Sequence, residues 1–172
     1  NPHQYTVKFL ANTPAGQTAT GTMPDQHMVG NASADLQNRF AVNGYTFSGW
    51  TGSDGQSYAD GATPSLLSRQ NGAVVTMTAN WTKNTYTIRY TDNVPPASRT
   101  APGINPNTVS SYEVTDTDIN LAPMAWQGYT FDGWYEDPAF TGTPVTRLIT
   151  NHAPAENRHY YAKWTQKRYA LT

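Results

Sequence analysis

Three short segments occur twice in this chain, in the same order and at nearly the same spacing. Tyr5-Thr6-Val7-Lys8-Phe9 returns as Tyr86-Thr87-Ile88-Arg89-Tyr90. Gly44-Tyr45-Thr46-Phe47-Ser48-Gly49-Trp50 returns as Gly128-Tyr129-Thr130-Phe131-Asp132-Gly133-Trp134, and Thr78-Ala79-Asn80-Trp81-Thr82 as Tyr161-Ala162-Lys163-Trp164-Thr165. The offsets are 81, 84 and 83 residues, so the copies differ only by small loop insertions and deletions. A tandem duplication of this period dictates the architecture before any single element does, because whatever fold one copy adopts the other must adopt too. The 172 residues therefore divide into repeats at 1–83 and 84–166. Thr165-Gln166-Lys167-Arg168-Tyr169-Ala170-Leu171 has the form of Thr82-Lys83-Asn84-Thr85-Tyr86-Thr87-Ile88. Residues 167–172 are thus expected to start a linker or a third repeat, in a parent protein that continues past Thr172.

Within each copy the apolar residues follow period two. Tyr5, Val7 and Phe9 share one face opposite Thr6 and Lys8, and Tyr86, Ile88 and Tyr90 repeat this opposite Thr87 and Arg89. The closing segments alternate as well, with Val75, Met77, Ala79 and Trp81 against Thr76, Thr78 and Asn80, and Tyr160, Ala162 and Trp164 against Tyr161 and Lys163. The same rule applied to G-Y-T-F-x-G-W places Tyr45 and Phe47 on one face and Thr46, Ser48 and Trp50 on the other. Its glycines suit a sharp entry and a close backbone approach.

A unit of about 80 residues lies where a single apolar core is marginal. Trp50, Trp81, Trp134 and Trp164 recur at equivalent places, as expected if each repeat closes its core with two large aromatics.

Helical signal is confined to Ser33 to Val42, where Ser33 is a capping residue and Leu36 and Phe40 stand at i, i+4. Its counterpart, Thr117 to Trp126, carries Pro123 and reads as extended or a single turn. Short turns are expected at Ser65 to Gln70 and Thr146 to Thr150. With 13 Gly and 12 Pro breaking the chain, the expected class is α+β and β-dominated, with a mixed or antiparallel sheet and hairpins at Ser53-Asp54-Gly55 and Asp137-Pro138. Only Thr82, Lys83, Asn84 and Thr85 separate Trp81 from Tyr86, a reach of about 17 Å when extended. The reading therefore expects modules in near contact, as a semi-rigid chain of beads.

Catalytic and ligating patterns are sparse. There is no cysteine, hence no disulfide, thiolate nucleophile or thiolate metal site. The net charge of -1, with scattered Lys and Arg, argues against nucleic acid, and no apolar run is long enough for membrane insertion as a helix. His3, His27, His152 and His159 occupy no matching positions and no ligand spacing. Glu136 and Asp137 read as solvated charges of a Pro-containing turn rather than as an acid/base pair. Asp116-Thr117-Asp118-Ile119-Asn120 begins like a calcium loop, but Leu121 replaces the turn glycine and Gln127 the bidentate Glu. Asn31-Ala32-Ser33 and Asn80-Trp81-Thr82 fit the N-glycosylation pattern, which short segments match by chance. Lys8 and Lys163 sit on strands but on polar faces, which argues against a buried Lys-Asn isopeptide crosslink. The reading is therefore of no catalytic residue, no metal and no cofactor.

At the repeated motifs the sequence resembles the Listeria–Bacteroides repeat, also called the internalin B-repeat. Its pattern is Y-x-V-x-F, then Leu and often Pro before G-Y-T-F-x-G-W, a Gly/Pro loop, and an aromatic or apolar residue before A-x-W. The second copy follows this from Leu121 and Pro123 through Trp134-Tyr135 to Tyr160-Tyr161-Ala162-Lys163-Trp164. The first departs from it, with Leu36 but no following proline, Thr51 in place of Tyr135, and Met77-Thr78 in place of the aromatic pair. The resemblance implies two tandem β-grasp-like (ubiquitin-like) modules on a secreted or wall-anchored bacterial protein, usually without enzymatic activity. A non-catalytic stalk or spacer at the bacterial surface or cell wall is the expected role, with neighbouring repeats as partners. Adhesion to host glycan or protein is the first alternative, and an accessory module of a larger surface enzyme the second. For adhesion the candidate ligand-binding residues are Trp126 and Tyr135, which align with Val42 and Thr51 and could present flat amphipathic surface to sugar rings.

Overall fold

The computed structural model describes residues 2–95 and 104–169. It contains two compact units, Asn1–Asn84 and Thr85–Thr172. The first unit is built from β1 (Gln4–Leu10), β2 (Ala19–Thr20), β3 (Gln26–Val29), β4 (Ala41–Val42), β5 (Tyr45–Gly52), β6 (Ser57–Tyr58) and β7 (Ala73–Lys83). Five of these form one sheet in the order β3-β1-β7-β5-β6, while β2 and β4 pair separately. The second unit comprises β8 (Tyr86–Thr91), β9 (Ser111–Tyr112), β10 (Ile119–Asn120), β11 (Tyr129–Tyr135), β12 (Arg147–Leu148) and β13 (Arg158–Gln166). Its sheet runs β11-β13-β8-β9, with β10 and β12 as a separate pair. In both units the opening strand lies parallel to the closing one, and every other pairing is antiparallel.

Alternation places the core as expected along the opening and closing strands. Tyr5, Val7, Phe9, Val75, Met77 and Ala79 are buried in the first unit, and Ile88, Tyr160 and Ala162 in the second. The G-Y-T-F-x-G-W segment breaks the alternation. Phe47 pairs with Trp81 and Gly49 with Asn80, so Ser48 and Gly49 together oppose one residue of β7. This β-bulge returns Trp50 to the face of Phe47 instead of the opposite one. Trp50 is 0% exposed, with its ring 4.9 Å from that of Phe47 and 5.3 Å from that of Phe9. The second unit repeats the device between Phe131 and Gly133, and Trp134 lies 5.5 Å from both Phe131 and Tyr90. Gly49 and Gly133 have φ of 121° and 129°, a region closed to L side chains, so the recurrent glycine is what allows the bulge.

Among the described residues there is no helix, which corrects the α+β expectation to a β-dominated pair of sheet-rich modules. A β-grasp in particular is not shown by these elements. The segment from Ser33 is extended because its polar groups are engaged elsewhere. Ser33 bridges Ser65, and the Ala34 and Leu36 amides donate to the carbonyls of Pro64 and Ala62. Asp35 and Asn38 accept bonds from the amides two residues ahead, Gln37 and Phe40, the local competition that disfavours a helix. Thr117 to Trp126 is extended and includes β10. The segment Ser65 to Gln70 supplies a bridge residue and leads into a turn closed by the Ala73 amide on Gln70 O, and Thr146 to Thr150 holds β12 and enters a turn closed by the His152 amide on Ile149 O. Of the expected start of a further repeat, 170–172 lie outside the described residues, and Lys167 to Tyr169 carry no strand.

Candidate binding face of the second repeat

Both units share one internal wiring. The indole N–H of Trp50 donates to Leu36 O at 2.8 Å and that of Trp134 to Ala122 O at 2.9 Å. Trp81 donates to Ala11 O at 2.7 Å and Trp164 to Asp92 O at 2.8 Å. Asn12 and Asn93, both near φ 45°, each reach 2.9 Å across to the carbonyl of the alanine two residues before the closing Trp, Ala79 and Ala162. The two asparagines stand 81 residues apart, the offset of the opening motif, yet motif reading did not single them out. This conserves the scaffold in duplicate and leaves the opposite sheet faces free to diverge.

They diverge sharply. In the first unit the strand positions facing away from the core include Thr51, Thr76, Thr78 and Asn80, a polar cluster beside the exposed Leu10 and Val74: Asn80 Nδ2 donates to Thr51 Oγ1 at 2.9 Å, and the Thr76 amide to Ser53 Oγ at 3.0 Å. In the second unit the same positions carry Tyr135, His159, Tyr161 and Lys163. His159 stacks on Tyr161 with centroids 4.2 Å apart and shares hydrogen bonds with Tyr161 Oη and Thr91 Oγ1. Lys163 Nζ lies 5.2 Å from the centroid of Tyr135 and 5.8 Å from that of Phe140, in cation–π range.

Phe140 reaches this face through a dedicated loop. Asp137 accepts from the Ala139 amide and from Thr141 Oγ1, and its carbonyl accepts the Phe140 amide. These bonds hold Phe140 at φ 58°, a conformation costing a bulky residue roughly 1–2 kcal/mol. Its ring then meets Tyr135 edge-on at 5.6 Å. The Thr141 hydroxyl, followed by the Ala139 amide, holds the Asp137 carboxyl below the usual carboxylate range. Beside β13, between this loop and the chain after β8, opens a cleft of about 490 Å³ walled by Asn93, Pro95, Pro138, Phe140, Tyr161 and Lys163.

The two candidate ligand residues do not form an exposed pair. Trp126 is 5% exposed and packs edge-on against Trp164 and Tyr129. Tyr135 is 7% exposed, beneath Lys163 and Phe140. Each unmatched aromatic is covered by its own repeat, and the surface offered to solvent belongs to Phe140, Tyr161 and Lys163. The substitutions Thr78 to Tyr161 and Asn80 to Lys163, visible on aligning the copies, were the signal for it.

Other titratable residues are dispersed or engaged. Among the described residues no three His, Asp or Glu side chains gather as metal ligands. Asp116 accepts the Glu113 amide, and Asp118 accepts the Thr150 amide and faces Arg147 at 3.6 Å. Glu136 pairs with Arg158 at 3.3 Å, and Arg158 with Glu156 at the same distance. Lys8 faces Asp25 at 3.6 Å with both side chains exposed and Lys163 lies over rings, surroundings unlike a buried Lys-Asn-carboxylate set. Burial, followed by the charge of Glu136, pushes the Tyr160 hydroxyl above its ordinary value.

Residues 86–163 match the Listeria-Bacteroides repeat domain, and residues 5–85 match the divergent InlB B-repeat domain. The chain belongs to this repeat family. Its two B-repeats together span residues 5–163, and the divergent one is the copy with Thr51, Thr78 and Asn80 where the other has Tyr135, Tyr161 and Lys163. Repeats of this kind are typical of bacterial surface proteins. The tandem B-repeats are also 28% identical over 151 residues to a protein from Evansella cellulosilytica described as a Gly-rich membrane protein. The alignment covers 87% of this chain and 15% of that relative. No solved structure matches the B-repeat pair significantly. No helix among the described residues is long and apolar enough to cross a membrane.

Proposed function

We propose that this region is a non-catalytic spacer of a bacterial cell-surface protein, displaying other domains of the parent chain away from the cell wall. The observation that carries the reading is the duplicated wiring: each repeat closes its own core with the same two indole bonds and the same Asn bridge, and is a self-sufficient bead. Stability then adds from bead to bead, as in other repeat arrays. The test is repeat number in the parent protein at the cell surface. Antibody access to the domain beyond the repeats should rise with each added B-repeat and fall with each deletion. A parent that keeps its reach after both repeats are removed refutes the spacer.

The aromatic outer face of the second repeat favours a second reading, in which that repeat is an adhesive module for host glycan or protein. Here replacing the second repeat by a further copy of the first keeps repeat number but abolishes attachment.

A further inference from the structure

We propose that the cleft beside β13 binds a uronic acid residue of an acidic polysaccharide, one sugar face stacking on Phe140 and Tyr161 and the sugar carboxylate pairing with Lys163 Nζ. The proposal rests on the adhesive reading and gives it a ligand class.

Four observations carry it. The cleft volume of about 490 Å³ falls in the range of about 300–1,000 Å³ common to small-molecule sites. Its walls are aromatic rings and prolines, which offer flat C–H and π surface to the apolar face of a pyranose. The Lys163 ammonium has ring faces and no carboxylate beside it among the described residues, so its charge is open to an anionic group. The Asn93 amide nitrogen is committed to Ala162 O, while its carbonyl oxygen has no partner among the described residues and can accept from a sugar hydroxyl. A proline-rich peptide would use the same rings but leave the Lys163 charge unanswered. The first repeat is a built-in control, since Asn80 and Thr78 stand where Lys163 and Tyr161 stand.

The experiment titrates the whole 172-residue chain with a hyaluronan hexasaccharide by calorimetry and backbone NMR. Its carboxyl-reduced form, 3′-sialyllactose, a proline-rich decapeptide and a glycan and matrix-protein array serve as further arms. Saturable binding is expected, with shifts confined to residues around Asn93, Phe140 and Lys163, and at least tenfold weaker for the carboxyl-reduced sugar and for Lys163→Gln. Phe140→Asn, which tolerates the left-handed backbone and so keeps the loop, should weaken it at least fivefold. Rising salt should weaken it too. Melting temperatures of both variants identify any loss caused by unfolding, and Tyr161→Thr, the residue of the first repeat, then stands in for a variant that does not fold. Binding that survives both substitutions overturns the site. Preference for sialyllactose or the peptide overturns the uronate while leaving adhesion standing, as does a hit on the array without hexasaccharide binding. Silence in every arm overturns the uronate and the adhesive reading together.

Discussion

Gly49→Ala should cost the first repeat about 3 kcal/mol. At φ 121° the new side chain would occupy backbone space that L residues avoid, a strain of roughly 1–3 kcal/mol. Its Cβ would also stand 2.9 Å from the backbone carbonyl oxygen of Tyr58, so relief requires β6 to move or β5 to surrender the bulge. Surrendering the bulge is worse, because it turns Trp50, the largest fully buried side chain of the unit, away from Phe9 and Phe47. A unit of this size has roughly 4–12 kcal/mol of stability, and each 1 kcal/mol moves its melting point by about 4–8 °C. The expected loss is therefore about 12–24 °C for residues 2–84, with residues 85–169 little changed. A urea and temperature series followed by backbone NMR resolves the two repeats in one sample. Ser48→Ala, at the exposed bulge position, is the control and should stay within about 0.5 kcal/mol of the parent. If Gly49→Ala loses less than about 1 kcal/mol, the bulge does not depend on the glycine and the explanation of the motif fails.

Asn93→Ala should destabilise the second repeat by about 1–2 kcal/mol through loss of the bond to Ala162 O and of an Asn in the left-handed region, and Asn93→Gly by less, as denaturant midpoints would show. Trp126→Ala should lower stability by about 3–5 kcal/mol because the ring is buried against Trp164, and an unchanged melting curve would contradict that packing. The Asp137 loop should respond to acid. The depressed carboxyl favours the folded loop at all pH above the ordinary carboxylate value, and that contribution is lost as pH falls through the depressed one. Phe140 ring shifts should follow this titration, while Asp137→Asn should leave them flat with pH.

Period two was enough to place Tyr5, Val7, Phe9, Met77 and Ala79, since a half-buried strand has no other way to cover them. It failed at Trp50, because counting alternate residues assumes one residue against one, and a bulge sets two against one. The clue was a glycine inside a strand pattern, which marks such irregularities. The helix at Ser33 to Val42 rested on the spacing of Leu36 and Phe40, which an extended segment satisfies equally well once Asp35 and Asn38 claim the neighbouring amides. For the outer face, absence of a counterpart in the other copy distinguished Trp126 and Tyr135 but carried no information on burial. The half-buried positions that open to solvent are Tyr161 and Lys163, which alternation assigns only to the polar side of a strand.

The parallel pairing of first and last strands also decides how a repeat carries force. When its two ends are pulled apart, β1 and β7 slide past each other along their length, so the hydrogen bonds between them bear the load together rather than opening one at a time. In the first repeat that seam joins Tyr5–Leu10 to Ala73–Thr78, six residue pairs, whereas in the second it joins only Ile88–Thr91 to Arg158–Tyr161, four pairs. Stretched in a single-molecule trap, the second repeat should rupture first and the first act as the stronger link. The copy with the aromatic face would then be the one that yields first under load.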